Sequence, residues 1–283
     1  MSVFWGIPYL LIRVAVRQLD PGVLVLARTG PAALVLGPLV LWRRQWRALA
    51  THLGWITLFG VAEFGVPWYL MSTAERHITS SLTSLLICCV PLLSVVVQRL
   101  RGAETVDRRR LGGLGVGALG VALLVGFGIN RGSLPWIGLM LVVIVGYSLG
   151  PIILATKLAH LDGPTVIMGA TAVVSLAWVP WDVVHWPARV SGETVWSIVV
   201  LSLVCTVAAF LVFFELVKEA GPARSVVVTY LNTALAVVLG VVGLHEPLTV
   251  GIAVGFPLVI VGSILASTGP RQRDEALAEA QAT

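Results

Sequence analysis

The chain has 283 residues, 57% of them hydrophobic and 12% charged, with a net charge of +5 and a mean hydropathy of +0.94. Soluble domains carry about 25% charged residues, so this balance excludes an ordinary water-soluble fold. The positive charge does not point to nucleic acid, because most of the basic residues lie in short breaks between apolar runs.

Those runs are about 20 residues long, the length a helix needs to cross about 30 Å of hydrocarbon. None alternates in polarity as the strands of a membrane barrel do. The sequence predicts an all-α integral membrane protein with ten transmembrane helices. They cover residues 2–18, 23–42, 53–74, 78–98, 111–129, 134–158, 164–186, 195–217, 223–244 and 248–267. The connections are short, so consecutive helices are expected to be antiparallel neighbours.

Orientation follows from arginine and lysine. With the N-terminus inside, the cytoplasmic side holds Arg43, Arg44, Arg47, Arg99, Arg101, Arg108, Arg109, Arg110, Lys157, Lys218, Arg224, Arg271 and Arg273. The outer side holds Arg13, Arg17, Arg76, Arg131 and Arg189, and Arg28 falls inside a span. Thirteen against five places both termini in the cytoplasm of a multi-pass protein of the plasma (inner) membrane.

The chain repeats itself. Glu104 and Glu246, Gly113 and Gly255, Gly120 and Gly262, and Asp20 and Asp162 are each 142 positions apart. A first repeat over 1–129 and a second over 134–268 hold five spans each, and an odd number inverts the second copy relative to the first. Inverted repeats are a mark of secondary transporters. Span six has about a dozen apolar residues before Tyr147, whereas span one has almost none before Trp5. Span one is therefore about two turns short, as a misplaced start codon or a truncated chain would leave it. No charged stretch precedes it and no small-residue cleavage site follows it, which argues against a signal peptide.

Tryptophans gather at span ends, with Trp42, Trp46 and Trp55 inside and Trp136, Trp181, Trp186 and Trp196 outside. This is the pattern of an interfacial aromatic belt. Trp5, Trp68 and Trp178 lie deeper. The segment 269–283 is polar and Ala/Glu-rich, and reads as a cytoplasmic tail. Cys88, Cys89 and Cys205 sit in apolar runs with no metal-ligand spacing, so they read as inert buried thiols, and neither metal nor cofactor is expected.

Several motifs carry a family resemblance. They are Phe4-Trp5-Gly6, Arg28, and Ala74 followed by Ser80-Ser81-Leu82 leading to Pro91. In the second half they are Gly221-Pro222-Ala223, Tyr230-Leu231-Asn232, Leu239-Gly240 and His245-Glu246-Pro247-Leu248-Thr249. In order and spacing they resemble two copies of the EamA-type domain of the drug/metabolite transporter superfamily. The resemblance implies a secondary transporter for small metabolites, amino acids or drugs, working by alternating access, often outward and often coupled to protons. The family's Tyr-x-Asn-Pro reads Tyr-Leu-Asn-Thr here, so a proline kink is lost at Thr233 and kept at Pro91.

The candidate pathway residues are polar or aromatic groups at mid-span. Glu63 lies near the centre of span three, where an acidic residue costs about 2.5–3.5 kcal/mol to insert. It reads either as a proton- or cation-coupling carboxylate or as a structural hydrogen-bonding group. Arg28 can clamp a substrate carboxylate, pair with Glu63, or snorkel outward. Asn232 is the more cavity-facing of the Tyr230/Asn232 pair, since side chains two apart on a helix diverge by about 200°. Tyr147 and Trp5 stand at similar levels of the two halves, and Trp68 joins them as an aromatic wall suited to an amphipathic ligand.

Other features read as structural. Glu215 and Lys218 suggest an interfacial ion pair. Glu104 and Glu246 suggest caps on the helix that follows each. Gly113-x-x-x-Gly117 and Gly251-x-x-x-Gly255 permit close helix approach, within the bundle or at a homodimer interface. An intramembrane enzyme is disfavoured, since there is no HExxH, GxSxG or histidine pair at ligand spacing in the sequence. A non-transporting sensor or assembly subunit is the other class consistent with a short first span.

Overall fold

The computed structural model of the chain describes residues 1–100, 108–128, 131–220, 225, 228–247 and 249–267. Every regular element among them is helical. We label the main helices α1 (Ser2–Ala15), α2 (Pro21–Trp42), α3 (Leu53–Ala74), α4 (Ser80–Leu100), α5 (Arg108–Gly128), α6 (Leu134–Leu158), α7 (Gly163–His185), α8 (Gly192–Glu219), α9 (Val228–Gly243) and α10 (Val250–Ser267). A short helix, Trp46–Thr51, precedes α3. Six of these, α2, α3, α4, α6, α7 and α8, are long and apolar enough to cross a membrane. The chain is therefore a multi-pass membrane protein, although six helices, rather than the expected ten, meet that length and hydropathy.

The helix starts follow from their caps. Asp20 accepts from the Gly22 amide at 2.9 Å ahead of α2, with Pro21 in the first turn. Asp162, 142 positions on, accepts from Thr165 at 3.3 Å ahead of α7, with Pro164 in the same place. Both follow the preference for a short acidic cap and an early proline, which sacrifices no helical hydrogen bond. Thr79 caps α4 and Ser191 caps α8 in the same manner.

Three helix interiors widen into π-helical stretches that the sequence pattern does not announce: Val61–Gly65 in α3, Leu154–Leu158 in α6 and Val200–Ala208 in α8. Each such stretch locally abandons the i→i−4 ladder, a departure found frequently at functional sites. In α4 the helix is interrupted at Cys88 and Cys89, ahead of Pro91. α9 runs unbroken past Thr233, whose hydroxyl donates to the Ser84 carbonyl of α4 at 3.0 Å.

α5 lies along α10, α2 along α7, α3 against α6, and α1 against α8 and α9, while α4 touches both α6 and α9. Glycine decides the closest of these approaches. A Cβ at Gly120 would stand 2.7 Å from the Val259 amide nitrogen and 2.9 Å from the Gly255 carbonyl, and one at Gly262 would run into the Gly117 backbone. These glycines thus bring α5 and α10 together within one chain.

At one end of the bundle the connections after α1, α3, α7 and α9 meet. Arg76 donates to the Leu19 carbonyl at 2.8 Å and lies 3.9 Å from Asp20, which also accepts from the Trp181 indole at 2.9 Å. The Ser191 amide donates to Gln18 at 2.9 Å. Arg13 donates to the carbonyls of Glu75 and Ile78. Here too Glu246 departs from expectation. It caps α4 from the other half, not the α10 helix that follows it. One carboxylate oxygen accepts from the Ser80 amide and hydroxyl at 2.8 and 2.9 Å, the other from the Ser81 amide and hydroxyl at 2.9 and 2.5 Å. His245 turns the chain into this position at φ 54°. Glu104, the corresponding residue of the first half, lies outside the described residues.

One further expectation is revised. Lys218 does not pair with Glu215; its ammonium sits 4.4 Å from the Phe214 ring centroid, a cation–π contact available one turn along the helix. Trp136 stacks on His77 with centroids 3.6 Å apart. Trp42, Trp46, Trp55, Trp181, Trp186 and Trp196 are exposed.

Glu246→Ala is expected to lower the stability of the purified protein by about 2–4 kcal/mol, since it strands the hydrogen-bond donors of Ser80 and Ser81. Glu246→Gln, whose amide oxygen still accepts, should lose about half as much. Thermal unfolding in detergent reads both.

Candidate functional site

A small cavity lies where α1, α2, α3, α4, α6, α8 and α9 converge. Its lining includes Trp5, Tyr9, Arg28, Glu63, Trp68, Met71, Val90, Tyr147, Pro151, Phe210, Phe213 and Asn232. All six pathway residues named from the sequence thus meet in one place. Five pairs of lining residues are related by the 142-position offset: Trp5 and Tyr147, Tyr9 and Pro151, Trp68 and Phe210, Met71 and Phe213, Val90 and Asn232. Each half of the chain supplies one member of each pair.

The walls are aromatic. Trp5 packs on Phe213 and Phe210 with centroids 4.7 and 5.2 Å apart. Phe64 bridges Trp68 and Phe210 at 5.0 and 4.7 Å, the second contact edge-on. Such offset and tilted geometries suit the ring quadrupoles and fix the rings in place.

Arg28 enters from α2 and is 4% exposed. Its guanidinium carbon lies 3.5 Å from the Trp68 ring centroid, and its Nε donates to Thr206 at 3.1 Å. Thr206 in turn donates to the Leu201 carbonyl, five residues back in the π-helical part of α8, at 2.8 Å. Arg28 therefore neither snorkels outward nor pairs with Glu63. The guanidinium lies over one aromatic wall, an arrangement that holds a cation without an anion.

Glu63 sits in the π-helical part of α3, 5% exposed, and its Oε2 has no hydrogen-bond partner. Gly150 of α6 makes room for it, since a Cβ there would collide with Oε2. Asn232 is also buried, with Oδ1 unpartnered. The Tyr230 side chain lies outside what the structure describes. The cavity thus presents one cation held on a ring, one carboxylate and one amide oxygen awaiting partners. Unsatisfied buried groups of this kind are costly and call for an explanation.

The sequence reading missed Tyr9, Met71, Phe210, Phe213 and Thr206. For Phe210 the signal was present, because it stands 142 positions after Trp68. Glu75 was missed for a different reason. As part of Glu75-Arg76 at a span end it reads as solvated, yet it is fully buried with both carboxylate oxygens unpartnered.

The cavity volume is about 70 Å³, against about 300–1,000 Å³ for a small-molecule pocket. That is room for water but not for a metabolite. A wider groove of about 650 Å³ between α3 and α7, lined by Tyr69, Trp178 and aliphatic side chains, carries no charged group.

The sequence profile of the EamA-like transporter family matches residues 1–126 and again 134–268. The chain belongs to the EamA-like transporter family. It is 24% identical to an "Uncharacterized transporter" of Archaeoglobus fulgidus, over 95% of this chain and 96% of that one. To the "Uncharacterized transporter YoaV" of Bacillus subtilis it is 22% identical over 93% and 92%, and to the "Uncharacterized inner membrane transporter YedA" of Escherichia coli 23% identical over 85% and 79%. A solved crystal structure superposes with a TM-score of 0.68 at 16% identity, over 94% of both chains, a likeness of fold alone. The EamA-like chain is thus a multi-pass membrane protein of a transporter family, which is not a family of enzymes.

Gly150→Ala should displace the Glu63 carboxylate and destabilise the protein by about 1–3 kcal/mol. In a Glu63→Ala background that cost should largely vanish. A double-mutant cycle read by thermal unfolding checks the coupling.

Proposed function

We propose that the chain is a secondary transporter that moves small metabolites, amino acids or drugs outward across the plasma membrane by alternating access, with proton coupling through Glu63. The observation that carries this reading is the buried Glu63 carboxylate, facing a cavity with one oxygen unpartnered. An ionised carboxylate there has no hydrogen-bond donor for Oε2 among the described residues, so uptake of a proton or arrival of a cationic ligand group lowers the cost. A group that must be relieved by one of two occupants is the element exchange transport needs.

Arg28 complements it. Its terminal nitrogens make no hydrogen bond among the described residues, and a substrate carboxylate could take them bidentately. The aromatic walls, Trp5, Trp68, Tyr147, Phe210 and Phe213, suit the apolar part of an amphipathic molecule. Asn232 supplies a hydrogen bond that fixes its orientation.

Alternating access is read from the paired construction of the cavity. On this reading ten spans form two inverted repeats, 1–129 and 134–268, with a cytoplasmic tail over 269–283. What supports it is the correspondence of contacts under the 142 offset. The packing of α3 on α6 answers that of α8 on α1, and the packing of α4 on α6 answers that of α9 on α1. The connections after α1, α3, α7 and α9 share one end of the bundle, as antiparallel neighbours require. The basic residues of the opposite end make it the cytoplasmic one, with both termini inside.

Glu63→Gln is expected to abolish transport driven by a pH gradient while the protein remains folded. Candidate substrates come from a metabolite and drug panel on cells lacking and overexpressing the protein. Proton-driven flux in proteoliposomes at the unsubstituted rate refutes the assignment. Cysteines introduced as Arg109→Cys and Arg189→Cys should react with impermeant thiol reagents from opposite sides of the membrane. Reaction from one side would overturn the topology.

A further inference from the structure

The end of the bundle opposite the Glu246 cap is joined across the two halves by a pair of histidines. His52 precedes α3 and His160 lies between α6 and α7. Their Nε2 atoms are 3.0 Å apart, and the rings meet edge-on with centroids 4.7 Å apart and planes at 62°. The pair escapes any search for sequence motifs, because its members are 108 residues apart.

His52 Nδ1 has two neighbours, the Ala48 carbonyl at 3.0 Å and the Thr51 hydroxyl at 3.1 Å. The carbonyl can only accept and the hydroxyl can accept as well, so both are compatible with a hydrogen on Nδ1, the tautomer that leaves the Nε2 lone pair on the side of His160. A backbone carbonyl behind one ring nitrogen is the arrangement that orients a metal-binding imidazole and raises its basicity. In the metal-free pair, His160 Nε2 donates into that lone pair. If His160 moves its hydrogen to Nδ1, two lone pairs face one point.

We propose that His52 and His160 form a binding site for a late first-row divalent cation, of the class of Ni²⁺, Cu²⁺ and Zn²⁺. The distance supports this. A metal about 2.0–2.1 Å from each nitrogen would subtend an angle of about 94° at the observed separation. That is close to the right angle between neighbouring ligands in the tetragonal sites of Ni²⁺ and Cu²⁺. A tetrahedral ion needs the nitrogens about 3.3 Å apart, a small opening for side chains at the surface. Imidazole is a preferred ligand for all three ions, and affinity rises through the series to Cu²⁺.

The nearby cations do not occupy the site. Lys157, one turn before His160, has its ammonium 4.9 Å from the Trp55 ring centroid, and the Arg47 guanidinium carbon lies 5.1 Å from the ring centroid of Trp46. Among the described residues no third histidine, cysteine or carboxylate completes the set, so water fills the remaining positions. An ion bound here ties the start of α3 to the connection after α6, and with it one half of the chain to the other. The binding claim stands apart from the transport reading; only its consequence, that a bound ion holds this end shut, rests on that reading.

The test is titration of purified full-length protein with Ni²⁺, followed by calorimetry and by the shift in thermal unfolding. Saturable binding that raises the unfolding temperature is expected. His52→Gln and His160→Gln should each weaken it at least about tenfold, the loss that even an outer-shell partner of a metal site brings. His77→Ala, at the opposite end, should leave it unchanged. Binding that survives both glutamine substitutions, that is lost in His77→Ala, or that does not occur overturns the proposal. In proteoliposomes Ni²⁺ on the side of this end should slow flux, with recovery on chelation. Binding without slowing would leave the site intact and overturn only the claim that a bound ion holds this end shut, whereas absence of any flux without Ni²⁺ would count against the transport reading.

Discussion

Polar groups buried in this bundle have little choice of partner, because the hydrocarbon around it offers none. A recurring solution is to find the partner in the other half of the chain. Arg28 of the first half donates to Thr206 of the second. Glu246 of the second half takes the amides and hydroxyls of Ser80 and Ser81 in the first. Thr233 donates to the Ser84 carbonyl, and Ser175 to Thr29 at 2.8 Å. A hydrophobic driving force does not distinguish one apolar helix face from another inside lipid, so these bonds and the glycine contacts of α5 with α10 fix how the halves dock. The cavity is what remains between them.

The two halves build matching walls but not matching chemistry. Under the 142 offset Trp68 answers Phe210 and Trp5 answers Tyr147, so the aromatic lining is nearly symmetric. Glu63, by contrast, answers Cys205, Arg28 answers Ala170 and Asn232 answers Val90. Each charged or amide group of the cavity therefore exists once. A symmetric frame suits a site that must be reached from two sides, whereas single-copy polar groups give a ligand one orientation in it. The π-helical stretches follow the same division. Those of α3 and α8 fall at corresponding levels, one holding Glu63 and the other Thr206, the partner of Arg28.

Much of this was readable in the sequence, for reasons that differ by residue. Glu63, Arg28 and Asn232 stand out because a polar group in a long apolar run must face something other than lipid. Tyr147, Trp5 and Trp68 follow from depth and from the repeat. What could not be read depends on contacts between distant segments. Glu246 sits before α10 in sequence, and local reasoning assigns it to that helix, although the amides within its reach belong to α4. Lys218 has Glu215 one turn away, yet Phe214 offers its ammonium a ring face closer to the bundle. Glu75 looks like loop until Arg13 reaches its carbonyl and the bundle buries its side chain. The widened turns of α3, α6 and α8 leave no mark in hydropathy, since they change the hydrogen-bond ladder and not the side chains.

The size of the cavity constrains how the proposed cycle runs. At about 70 Å³ it must grow several-fold before a metabolite fits, and growth means separating the halves at one end. The two ends do not resist equally. Among the described residues, opening at the Glu246 end breaks four hydrogen bonds to a carboxylate, each worth about 1.5–3 kcal/mol, while opening at the other breaks one histidine–histidine hydrogen bond, worth about 0.5–1.5 kcal/mol, and the Lys157–Trp55 ring contact. Both losses are reduced by water entering behind the parting helices, but the difference keeps its sign. Among the described contacts the histidine end is thus the more weakly joined, and on the proposed topology it is the cytoplasmic one. For an exporter that is the side from which the substrate arrives. Breaking the Glu246 contacts then has to be coupled to filling the site, where substrate contacts to Arg28, Glu63 and the aromatic walls supply the compensating free energy.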